Sequence, residues 1–185
     1  MSLIYRIINI YFGVPTALLG VVVSSLSLGF FWNDSATFLG TRILLFSISV
    51  TDIGYLSLHC FYHLTNSITT QKSILHAVSF YVLNIFELAR NWLMVVVALE
   101  RLLFFLRPND FPRWWTASVV GTVETVVIVA VLLMGIPALL YKLPNVSMEV
   151  EKAYTMAHIL VQGFFVAILP IASMIVLFLA TKVQV

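Results

Sequence analysis

Residues 91–102 read Asn91-Trp92-Leu93-Met94-Val95-Val96-Val97-Ala98-Leu99-Glu100-Arg101-Leu102. The body of this run belongs in hydrocarbon, yet it closes on a carboxylate and a guanidinium. Charges are expensive at that depth, so a pair at the end of an apolar helix is a functional candidate by default. Pro108 follows the arginine by seven residues, in a segment that stops the helix.

Outward from this run the chain keeps the same character. Hydrophobic residues make up 61% of its 185 positions, aromatic residues 14% and charged residues 10%, and mean hydropathy is +1.04. These values lie far outside the composition of a soluble domain and predict an integral membrane protein. The apolar runs are long and rich in Leu, Val, Ile and Phe, without the short alternating segments of a membrane strand. Helices then satisfy the backbone. The expected fold is all-α, a polytopic transmembrane helical bundle that forms one domain over residues 1–185. Its five spans are expected at about 8–31, 41–63, 73–106, 114–141 and 154–182, each near the ~20 residues needed to cross. Polar breaks separate them at Asn33-Asp34-Ser35, Thr65-Asn66-Ser67, Arg107 to Pro112 and Lys142-Leu143-Pro144-Asn145. The interior prolines Pro15, Pro137 and Pro170 are tolerated where neighbouring helices accommodate the lost bonds.

Net charge of +2, with basic residues scattered through loops and helix ends, gives no reason to expect nucleic acid as a partner. The lipid bilayer is the expected environment. Cys60 is the single cysteine, so neither a disulfide framework nor a cysteine-rich metal site can form within the chain. The N-terminal stretch stays apolar to Trp32 without a small-residue cleavage site and reads as a retained first span.

Orientation follows from the basic residues. With the N-terminus outside, Arg42, Arg101, Arg107, Arg113 and Lys182 lie on the cytoplasmic side, and Arg6, Lys72, Lys142 and Lys152 lie outside. The short loop between spans three and four gathers three of these arginines, and short loops are where the bias counts. The N-terminus is therefore expected outside and the C-terminus in the cytoplasm. In that orientation the sequon at Asn145 faces outward and is the expected glycosylation site, whereas Asn33 would face outward only in the reverse one.

Asp52 lies in the middle of span two, where inserting an aspartate costs on the order of 2.5–3.5 kcal/mol. It must face the bundle interior, as a hydrogen-bond hub or as a cation or proton site. Glu87 and Arg90 are three residues apart on one face of span three and can pair locally. Glu124 in span four has no local partner and is expected to meet a polar residue on another helix.

Together these features resemble the rhodopsin-like (class A) G protein-coupled receptors. The run 91–102 with Pro108 is similar to the inner end of their third helix, closest in wording to invertebrate, including nematode, FMRFamide and myosuppressin type peptide receptors. Ser49-Val50-Thr51-Asp52 resembles their helix-two motif, and Ile168-Leu169-Pro170 their helix-five proline. The resemblance covers the first five of seven helices. It implies that Arg101 is held by Glu100 at rest and released toward a heterotrimeric G protein, and that Asp52 stands at the sodium site. Arg90 falls where the family has a small polar residue, so an Asp52–Arg90 salt bridge is expected in place of sodium. Glu87 would then face the ligand cavity. That cavity, open to the outside, would be lined by Tyr62, His63, His76, Phe80, Tyr81 and Tyr154 and would take an extracellular ligand, a peptide in preference to another small molecule. Plasma membrane is the implied location.

The chain departs from the family at Val21 after Gly20, at Leu102 after the arginine, and at His76 where a disulfide cysteine would stand; no helix-four tryptophan is recognisable. Helices six and seven are not among the five spans, so the chain reads as a fragment, short isoform or remnant that would not couple to a G protein unless they are supplied. Two other readings stand beside this one. His59, His63, His76 and His158 could converge on a metal or haem, or the chain could be a helix-packing partner of a full-length receptor. No nucleophile turn or phosphate loop is present, so no enzyme activity and no cofactor are expected.

Overall fold

A computed structural model describes residues 9–35, 37–68, 74–142 and 148–183. Its described elements are all helical: α1 (Val14–Asn33), α2 (Leu39–Ile68), α3 (Ile74–Leu106), the short α4 (Phe111–Trp114), α5 (Ala117–Lys142), α6 (Met148–Leu160) and α7 (Leu169–Val183). π-helical turns precede α1 at Asn9–Gly13 and join α6 to α7 at Val161–Ile168. Five stretches are long and apolar enough to cross a membrane: Tyr11–Asn33, Leu39–Tyr62, Ala77–Leu106, Ala117–Ile136 and Lys152–Val176. The protein is an all-α bundle of the integral membrane kind.

The distribution of side chains supports that assignment. Leu18, Leu19, Val22, Val23, Leu26 and Phe30 on α1 are more than half exposed, while Thr41, Ser49, Thr51, Ser79, Asn84 and Glu100 are buried. Such a surface is untenable in water and appropriate against lipid tails, where helices associate through close packing and interhelical polar contacts. Hydroxyls on the spans bond back to carbonyls one turn earlier, Thr51 to Ser47 at 2.7 Å and Thr125 to Gly121 at 2.7 Å. Those hydroxyls are thereby satisfied within their own helix.

α3 is the central element, packed against α2, α5 and α7, with α2 also lying along α1 and α6 along α5. Close approach is possible where side chains are small. A Cβ at Gly54 on α2 would fall on the ring of Phe86 from α3, and one at Gly40 would sit 2.8 Å from the carbonyl oxygen of Trp115.

Span ends differ by a few residues from the sequence reading, and two of the later spans show why. The fourth span begins at Ala117 and not near 114, because the intervening α4 folds its aromatics inward: Phe111 and Trp115 are buried with Leu44, Leu93, Val96 and Val120. Thr116 then starts α5, its carbonyl accepting from Val120 N at 3.0 Å. The fifth span is a composite, with helix from Met148 that widens before Pro170, where Leu169 N donates to the carbonyl of Phe164, five residues back. A proline ring clashes with the carbonyl four residues before it, and a widened turn relieves that contact.

Candidate functional site

The polar residues of the interior lie at three depths along α3. At its C-terminal end Glu100 is 2% exposed. Its Oε1 accepts a 2.8 Å hydrogen bond from Thr41 Oγ1 of α2, 59 residues away in sequence. Its Oε2 lies 3.8 Å from Arg101 Nε, and the Arg101 side chain is 54% exposed. The carboxylate is thus anchored to α2, while the arginine is a loosely attached arm at the mouth of the bundle. Pro108 is exposed in the turn that follows, where Asp110 N and Phe111 N both donate to Arg107 O. Arg107 itself lies over the ring of Trp114 at 5.3 Å.

At mid-depth the expected Asp52–Arg90 salt bridge forms, with Arg90 Nε 3.2 Å from Asp52 Oδ1. Tyr55, one turn beyond Asp52 on α2, presents its ring 5.7 Å from the same guanidinium. Arg90 thus makes an interhelical contact as well as lying three residues from Glu87 on its own helix. Glu87, Arg90 and Asn91 line a cleft of about 410 Å³ between α3 and α7, closed on the other side by Pro170, Ile171 and Met174. Pro170 is buried. Glu124 on α5 meets Ser47 of α2, a polar residue on another helix as expected, although its Oε1 is buried without a hydrogen-bond partner.

Toward the opposite end, Tyr62, Phe80 and His158 come together from α2, α3 and α6. The Tyr62 and Phe80 ring centroids are 5.8 Å apart, and Phe80 meets His158 edge-on at 5.3 Å. Tyr81 does not join them. One position along a helix turns a side chain by about 100°, and the Tyr81 hydroxyl donates instead to the carbonyl of Leu132 on α5 at 3.3 Å. Tyr154 is half-buried on α6. Asn145 lies outside the described residues, as do the side chains of His63 and His76. His59 lies tilted against Tyr55 and lines a cleft with Phe12 and Thr16 at the start of the first span, whereas His158 faces Phe80. Among the described residues no group of three metal-binding side chains gathers.

Two partners escape the sequence reading. Thr41 holds Glu100, and Tyr55 covers Arg90. The second has a visible signal, since Tyr55 is three residues from Asp52 and shares its helix face; Thr41 is a hydroxyl at the start of a span with no capping role. A scan against protein-family models finds no match, nor does a search of curated proteins.

Proposed function

We propose that the chain forms the first five helices of a rhodopsin-like G protein-coupled receptor of the peptide-binding kind, in the plasma membrane, with its N-terminus outside. The observation that carries this reading is the asymmetric pair at the inner end of α3, with Glu100 buried and fixed by Thr41, and Arg101 exposed and weakly held. Such a pair suits a two-state switch: the arginine can swing to a cytoplasmic partner without unseating the carboxylate.

The other two levels support the same use. Phe80 and Glu100 stand about 30 Å apart along α3 at 1.5 Å per residue, close to the thickness of a bilayer core. Arg90 lies midway. A ligand held by Tyr62, Phe80 and His158 would act on the same rigid helix that carries the switch. In this reading the Arg90 guanidinium occupies the cation position at Asp52, so sodium has no site there. Coupling to a heterotrimeric G protein requires helices six and seven in addition to these five.

Glycan mapping in a membrane-insertion system tests the proposal, comparing wild type with Asn145→Gln and Asn33→Gln. A glycosidase-sensitive mass shift lost only in Asn145→Gln is the expected result. A shift lost only in Asn33→Gln would place Glu100 and Arg101 on the outer face, where no G protein could reach them, and the receptor reading would fail.

A further inference from the structure

The turn from α1 to α2 borders a cleft of about 420 Å³ lined by Phe31, Trp32, Leu39, Arg42, Ile43 and Phe46. Its volume falls within the range of roughly 300–1,000 Å³ typical of small-molecule sites. The cleft sits where one span ends at Asn33 and the next begins at Leu39, which places it at the boundary between hydrocarbon and headgroups. Trp32 is 72% exposed there, with its ring 5.6 Å from that of Phe46. Tryptophan at a span end is suited to that boundary.

Arg42 gives the cleft its chemistry. Its Nη1 donates to the carbonyl oxygen of Asp34 at 2.7 Å, which orients the group. The Asp34 carboxylate is engaged by Thr37 Oγ1, and no carboxylate pairs with Arg42 among the described residues. The guanidinium keeps its charge and most of its N–H donors free for an acceptor at headgroup level. Planar guanidinium forks match phosphate geometry, and basic pockets between membrane helices recruit anionic headgroups.

We propose that this cleft binds one phospholipid with an anionic headgroup, the phosphate and the headgroup's own carboxylate both on Arg42 and the start of an acyl chain against Phe31, Ile43 and Phe46. The assignment is independent of the receptor reading.

The test uses the full chain, purified and stripped of lipid, and counts bound lipids by native mass spectrometry during titration. Phosphatidylserine and phosphatidylcholine with identical chains are the probes. Wild type is expected to retain one phosphatidylserine at concentrations about tenfold lower than phosphatidylcholine, the effect of the one charge-assisted hydrogen bond that the serine carboxylate adds to the phosphate contact both lipids share. Arg42→Gln is expected to abolish that preference, and Arg107→Gln with Arg113→Gln to leave it intact. Trp32→Ala with Phe46→Ala should weaken retention of both lipids together, a readout that stands even if Arg42→Gln fails to accumulate. Equal retention of the two lipids by wild type overturns the proposal, as does a preference that survives Arg42→Gln. Displacement of the lipid by millimolar inorganic phosphate would reveal an anion site with no role for the chain, and would overturn it as well.

Discussion

Glu100 depends on a hydroxyl that the sequence around it does not contain. Its Oε1 takes the Thr41 bond, and its Oε2 has no hydrogen-bond partner, so the carboxylate has little in reserve. Thr41→Val keeps the shape and removes the donor; a hydrogen bond to a charged group contributes about 1.5–3 kcal/mol. The variant is expected to unfold at lower temperature in detergent, with Thr41→Ser recovering most of the loss. Cys60, buried and the one thiol of the chain, reports such unfolding through a thiol-reactive dye. At Asp52 and Arg90 a double-mutant cycle with Asp52→Asn and Arg90→Gln should return a coupling energy of about 1 kcal/mol, the scale of interhelical polar contacts in membranes. Exchanging sodium for choline should leave wild-type stability unchanged and should destabilise Arg90→Ser; a sodium effect in wild type would refute the tethered-cation reading. The Asp52–Arg90 pair is legible through the family resemblance, whereas the residues by themselves also allow Arg90 to pair with Glu87 three positions away. Thr41 is not legible, because a threonine carries no obligation to pair.

Between elements, α2 presents Gly54 to α3 and Gly40 to the turn that follows α4, and the two respond differently to the same added methyl group. At Gly54 the obstacle is the ring of Phe86, a side chain that can rotate; at Gly40 it is the carbonyl oxygen of Trp115, which cannot. Gly40→Ala is therefore expected to cost more than Gly54→Ala, within the roughly 1–3 kcal/mol of overpacking. Combining Gly54→Ala with Phe86→Leu should restore part of the loss, as thermal unfolding would show. Helix existence is the most legible property of this chain, since hydropathy alone separates the apolar runs. Helix ends are less so. The inward fold of Phe111 and Trp115 overrides the polar, proline-bearing stretch from Arg107 to Pro112, which alone reads as a simple loop. The rotation of each helix is also hidden: Phe80 and Tyr81 have equal claims to the cavity until α5 and α6 are in place.

The whole bundle is organised about α3, which meets the Tyr62–Phe80–His158 cluster, the mid-depth ion pair and the Glu100–Arg101 pair along one axis. The histidine-ligated alternative makes a different demand, that its imidazoles converge, and His59 and His158 face different neighbours. Purified protein is expected to show only the absorbance of its aromatic residues; a Soret band or stoichiometric metal would favour the alternative. The inverted distribution of polar and apolar side chains is readable from composition, whereas the convergence of Tyr62, Phe80 and His158 depends on three helices separated widely in sequence. The contacts of α2 with α3 also bear on how the protein is made. Synthesis proceeds from the N-terminus, so Thr41 and Asp52 leave the ribosome before Arg90 and Glu100. Arg90 and Glu100 thus arrive at a bilayer in which their partners are already waiting, and the order of translation serves as the chaperone of their insertion.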